Sequence, residues 1–166
     1  MSAKLLFARK AVGALLTIGA ATYLTSIMSM PVLAHDKHVR FSAGVPGDPK
    51  KPARTVKIIM IEEGKKMMYE PSRVEVRRGE QVRFVLSNIG VENHEFMLAT
   101  KAENRKHAAD MKKYPDMEHE DPNAKTVAPF NQGELLWRFT KAGEFEFACL
   151  IPGHYESGMF GKVTVK

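Results

Sequence analysis

From Arg54 onward, apolar residues come in short runs that mostly alternate with polar ones, and turn-forming residues separate the runs. "TVKIIMI" (55–61) reads as a strand. "RVEVRRGEQVRFVLSN" (73–88) alternates in period two on both sides of "RRGE", which predicts two strands joined by a tight turn. "HEFMLA" (94–99), "ELLWRFT" (134–140), "EFEFACL" (144–150) and "GKVTVK" (161–166) continue the series. "NIGVEN" and "KAGEF" supply turn residues between them. Short strands at this spacing predict an all-β sandwich or barrel, with Trp137 and the phenylalanines of "LLWRFT" and "FEFACL" in its core. Met67 and Met68 are assigned to the same packing.

One segment breaks the period. "KAENRKHAADMKKYP" (101–115) has helical composition and stops at a proline, which predicts a helical insertion around residues 102–114. "DMEHEDPNAKTVAPFNQG" (116–133) then reads as an ordered loop. An insertion of roughly thirty residues is long for a sandwich connection, and such loops often carry function.

The N-terminus has a different texture. Lys4, Arg9 and Lys10 precede an apolar run from Ala11 to about Met28, and "PVLAHDKH" follows, with small residues Val32 and Ala34. This is the pattern of an export signal over residues 1–34, cut after Ala34; an uncleaved anchor is the alternative. Residues 35–54, rich in Pro, Gly and charge, read as a flexible arm, which leaves 55–166 as the folded domain.

Charge and cysteine content narrow the chemistry. The chain carries 25 Lys and Arg against 19 Asp and Glu, a net charge of +6. The leader holds three of the bases, so the remainder stands at a mild +3 with both signs interspersed. No phosphate-binding stripe forms, and nucleic acid is not an expected partner. Cys149 is the single cysteine. In an exported chain a lone thiol cannot pair within the chain and, if exposed, is open to oxidation. It is either buried as a small hydrophobe or protected by bonding to something.

Its neighbours favour bonding. "FACLIPGHYESGMFG" places His154 five residues after Cys149 and Met159 five after His154. Thiolate, imidazole and thioether together suit copper, and a blue-copper site takes two imidazoles and a thiolate with a weak axial methionine. The closing segment supplies one histidine. His94, after the "NIGVEN" turn and at the head of a predicted strand, fits as the second. Pro152-Gly153 would turn the chain between ligands.

These residues carry a resemblance. "PSRVEVRRGEQVRFVLSNIGVENHEF" and "KAGEFEFACLIPGHYESGMFGKVTVK" resemble the cupredoxins, the azurin, auracyanin, rusticyanin and plastocyanin group, over about two thirds of the chain. The resemblance implies a Greek-key β-sandwich with one type 1 copper at one end, held by His94, Cys149, His154 and Met159. It implies a protein that cycles Cu(I) and Cu(II), either as an electron carrier that docks through an exposed edge near His154 or in copper tolerance. Two features depart from the family pattern. Glu95 stands where many members have Asn or Ser, and the insertion is unlike plastocyanin and looks more like small periplasmic cupredoxins of bacterial copper tolerance.

Further copper ligands are conceivable. His107 and Met111 share a helical face, Met117 and His119 follow them, and cleavage after Ala34 would put His35 at the N-terminus with His38 nearby. The plainer reading of these residues is an amphipathic helix, with Ala108 and Met111 packed and His107 solvated, and a polar tail. The resulting expectation is a monomer in the periplasm of a Gram-negative bacterium. Its partner would be a redox or copper-handling protein, with no membrane insertion after cleavage. No catalytic residue is assigned. The alternative from another class is a small mononuclear copper enzyme with an open coordination position, should Met159 not bind.

Overall fold

The structure, a computed structural model, describes residues 41–113 and 121–166. Ten strands and one helix follow in order: β1 (Val45–Pro46), β2 (Arg54–Glu63), β3 (Lys66–Glu70), β4 (Arg73–Val76), β5 (Gln81–Asn88), β6 (His94–Ala99), α1 (Lys101–Lys113), β7 (Ala124–Val127), β8 (Gln132–Arg138), β9 (Gly143–Ala148) and β10 (Phe160–Val165). They form two five-stranded sheets, in the orders β1-β8-β5-β2-β3 and β4-β10-β9-β6-β7. β2 runs parallel to β5 and β4 parallel to β10, while the other pairs are antiparallel. The fold is the expected Greek-key β-sandwich with a helical insertion.

Alternation sets the core. Ile58 and Met60 of β2, Val82, Phe84 and Leu86 of β5, and Leu135 and Trp137 of β8 are buried from one sheet. From the other come Phe96 and Leu98 of β6, Phe145 and Phe147 of β9, and Val163 and Val165 of β10. Met67 packs against this cluster from β3. β6 is buried along its whole length because its second face is also covered. There Met97 joins Ala148 and Leu150, with Ala108 of α1 and Tyr155 packed against them.

Three expectations change. "RRGE" does not make a hairpin: β4 and β5 lie in different sheets, and the turn crosses between them. The turn closes on itself, with the Glu80 N–H on the Arg77 carbonyl at 3.0 Å, while the Arg78 N–H reaches the Lys166 carbonyl at 2.7 Å and the Gly79 N–H that of Phe139 at 2.6 Å. The loop expected over 116–133 contains β7, whose register pairs His94 with Val127. Part of the expected flexible arm, residues 41–48, is packed: Ala43 is fully buried, Val45 and Pro46 pair with Arg138 and Trp137, and Phe41 meets the Trp137 ring edge-on at 5.3 Å.

α1 holds to the sandwich by a face sequence reasoning did not single out. Asn104 is its buried residue, donating to the Glu146 carbonyl at 3.4 Å and carboxylate at 3.2 Å. Ala108 and Met111 are half-buried as expected; His107 is half-buried too, not solvated. Among the described residues no helix is long and apolar enough to cross a membrane. The export signal and its cut after Ala34 lie outside the described residues.

Candidate metal centre

Four sequence-predicted residues converge at one end of the sandwich. His94 opens β6, Cys149 follows β9 directly, and Met159 directly precedes β10. The segment between them is wound tightly. Cys149 N–H donates to the Met159 carbonyl at 3.0 Å, His154 N–H to Ile151 at 3.0 Å, and Met159 N–H to His154 at 3.1 Å. Gly153 sits at φ +93° with open space where a Cβ would be, so glycine is needed there for its backbone conformation. Winding the segment this way brings Cys149 and His154, five residues apart, to the same point.

His94, Cys149 and His154 are buried, and their donor atoms lie within 4.8 Å of one another. His94 Nδ1 stands 3.2 Å from His154 Nδ1, which in turn stands 3.4 Å from Cys149 Sγ. Donors sharing one first-row metal at about 2.0–2.3 Å stand roughly 3.2–3.8 Å apart, so the spacing fits. Met159 is fully buried in the same core cluster as Cys149.

The outward nitrogens are also engaged. His94 Nε2 meets Glu62 Oε1 at 2.9 Å, and His154 Nε2 meets Glu92 Oε2 at 3.2 Å. Burial alone would raise the Glu62 pKa; the N–H groups of Glu92 and Val91 and the His94 contact outweigh it and hold the carboxyl below its usual range. A carboxylate only accepts, so each imidazole gives its Nε2–H to a glutamate and turns its Nδ1 lone pair inward. Burial also pushes the His94 pKa down despite the Glu62 contact, which favours the neutral ring. Two lone pairs facing at 3.2 Å beside a sulfur form a pocket for a cation.

Cys149 is sealed from solvent. Burial pushes its thiol up to about 12, with the N–H groups of Glu95 and Ile151 opposing. The Glu95 N–H lies 3.3 Å from Sγ. Glu95 itself is buried, its carboxylate accepting the Leu150 N–H at 3.3 Å and its carbonyl accepting the Tyr69 hydroxyl. The acid at this position therefore braces the cysteine segment.

Sequence reasoning missed Glu62 and Glu92. Glu92 was within reach, two residues before His94; Glu62 comes from β2, with no local signal. At the edge expected near His154, the histidine itself is 5% exposed with the Glu92 carboxylate against its outer nitrogen, while Pro152, Gly153 and Glu156 around it are exposed. Among the described residues no other trio of His, Cys, Asp or Glu donors forms, including around His107. Met117, His119, His35 and His38 lie outside the described residues.

Residues 56–166 match the model of the copper-binding proteins of the plastocyanin/azurin family. A copper-resistant cuproprotein CopI from Rubrivivax gelatinosus is 51% identical over 133 residues, covering 80% of this chain and 78% of the relative. A protein of the same name from Pseudomonas aeruginosa is 34% identical over 152 residues, covering 74% and 82%. Among solved structures, auracyanin B superposes with a TM-score of 0.61 at 20% identity, covering 75% of this chain and 96% of that one, which shows the shared fold. Thiolate, two imidazoles and a thioether are the donors copper prefers, and the chain belongs to the plastocyanin/azurin family of copper-binding proteins: it is a cupredoxin related to the copper-resistance cuproproteins.

Proposed function

We propose that this chain is an exported, periplasmic type 1 copper protein of copper tolerance, in which His94, Cys149, His154 and Met159 would hold one copper. The observation that carries the reading is the pair of inward Nδ1 atoms, 3.2 Å apart, beside the buried Cys149 sulfur. Bound copper supplies a one-electron couple. The chain's own residues do the rest: the strand ends fix the ligand spacing, the apolar core excludes water, and the Glu95 N–H donates to the sulfur. Full burial of Met159 and its two backbone bonds to Cys149 and His154 favour Met159 as a ligand over an open, water-holding position. The relatives named copper-resistant cuproproteins support tolerance as the use.

Electron carriage is the second reading, and one surface feature favours it. Ile89 and Val91 are 55% and 69% exposed on the loop that carries Glu92, and Phe130 is 73% exposed beside Asn131, whose carbonyl accepts the Asn88 N–H at 3.0 Å. Exposed apolar side chains grouped near a metal site suit a protein partner.

Adding Cu(II) to the metal-free protein tests the site. The expected result is one copper per chain with an intense thiolate-to-copper band and narrow EPR hyperfine splitting, both absent in Cys149→Ser. A weak tetragonal spectrum that survives Cys149→Ser would refute it. Deleting the gene in its host separates the uses: copper sensitivity rescued by the wild type but not by Cys149→Ser supports tolerance.

A further inference from the structure

Both proposed histidine ligands meet a glutamate on the side away from Cys149, and the two glutamates are tied together. Glu62 Oε1 accepts from His94 Nε2 and from the backbone N–H of Glu92, each at 2.9 Å. The Glu92 side chain then reaches His154 Nε2. The Glu92 carbonyl accepts from Asn88 Nδ2 at 2.7 Å, and Asn88 Oδ1 accepts the Gly90 N–H at 2.9 Å. One residue, Glu92, thus links both imidazoles and the turn that precedes His94.

The fit is built, not incidental. A Cβ on residue 90 would lie 2.1 Å from Glu62 Oε1, so the carboxylate sits where only glycine leaves room. The two contacts differ in depth. The Glu62 side chain is 17% exposed against a fully buried His94, whereas Glu92 is 53% exposed over His154. Glu62 is a clamp held in the turn, and Glu92 is a cover open to water.

We propose that Glu62 and Glu92 are positioning residues that fix both imidazoles with hydrogen on Nε2 and bias the site toward Cu(II). This rests on the copper reading above. A carboxylate that accepts Nε2–H holds the ring in one tautomer and makes Nδ1 a stronger donor, and such partners typically matter by about 10–100-fold in metal affinity. Two negative charges behind the ligands also favour the more highly charged metal ion. Glu62, the less exposed, carries the larger share. The consequence is a copper protein that holds Cu(II) more firmly than its four ligands alone would.

The test separates tautomer from charge. Gln keeps an oxygen that accepts Nε2–H but loses the charge; Ala loses both. In the metal-free protein, long-range proton–nitrogen NMR should find His94 and His154 protonated on Nε2 in the wild type and in Glu62→Gln, and mixed in Glu62→Ala/Glu92→Ala. In the copper-loaded protein, Glu62→Gln should weaken Cu(II) relative to Cu(I) about tenfold, a rise in potential of about 59 mV, and Glu92→Gln by a smaller factor. The thiolate band and melting temperature should stay near wild type, which a merely structural role would not predict together with a moved potential. Unchanged tautomers in the double Ala variant, or unchanged potentials in both Gln variants, overturn the proposal. Either result leaves the copper reading standing, since that reading is decided by the wild-type band and its loss in Cys149→Ser.

Discussion

Gly90 decides how closely Glu62 can approach His94. An added Cβ would meet Glu62 Oε1 at 2.1 Å, Cδ at 2.5 Å and Cγ at 3.0 Å, all atoms of one flexible side chain. Gly90→Ala should therefore displace Glu62 without breaking the turn. Losing its two hydrogen bonds costs about 0.5–1.5 kcal/mol each, and the smaller entropy of the unfolded chain returns about 0.4–1 kcal/mol. The expected net loss is about 1 kcal/mol by urea titration, with the reduction potential rising as in Glu62→Gln. A wild-type potential in Gly90→Ala would mean that Glu62 finds another route to the ring. The four ligand candidates were legible because three of them fall on one short segment with fixed spacing. Glu62 was not legible, because it stands 32 residues from His94 and its role depends on a neighbour's missing side chain.

At the level of elements, α1 shows how local signals and tertiary anchoring divide the work. Thr100 and Glu103 form a capping box: the Glu103 N–H donates to Thr100 Oγ1 at 3.3 Å, and the Thr100 N–H donates to Glu103 Oε2 at 2.9 Å. The Ser42 hydroxyl donates to the same carboxylate, which ties the helix start to the N-terminal segment. Thr100→Ala should cost about 1 kcal/mol in thermal or urea unfolding and leave the copper spectrum unchanged, because the cap lies at the opposite end of β6 from His94. A changed spectrum would show that α1 holds the site as well as the fold. The strands that alternate over five or more residues were legible, since alternation reports a buried face directly. It does not report the partner. β4 and β5 read as a hairpin, yet β4 takes its ladder from β10, and β5 from β2 and β8. β7 escaped notice because, of its four residues, only Val127 is buried.

For the whole molecule, the segment before β2 carries the last consequence. Composition marked it as an arm, and composition was a poor guide because, beside the packing of Phe41 and Ala43, the segment is held by backbone bonds and one glutamine. The Gly47 N–H donates to the Leu136 carbonyl at 2.9 Å. Gln81 accepts from Asp48 N–H at 2.8 Å and donates to the carbonyls of Asp48 and Lys51 at 3.0 and 3.2 Å. Gly44, at φ +142°, would place a Cβ 2.1 Å from the Arg138 carbonyl, so the chain passes β8 too closely for a side chain. Removing everything before Arg54 would expose Trp137, strand Gln81 without its partners and open the β8 edge. Uncovering apolar surface of that kind costs about 1.5–3 kcal/mol for a large side chain, and exchanging the Gln81 hydrogen bonds for water costs about 0.5–1.5 kcal/mol each. A chain beginning at Arg54 should therefore be about 3–5 kcal/mol less stable than one beginning at His35, and more prone to associate through β8. Its copper spectrum should be unchanged, because β1 pairs with Trp137 and Arg138, whereas the other end of β8 lies by Ser87, next to the turn that leads to His94. Paired urea titrations and spectra of the two chains decide it: a difference below about 1 kcal/mol would make residues 41–53 an appendage, and an altered spectrum would extend their influence across the sandwich to the metal.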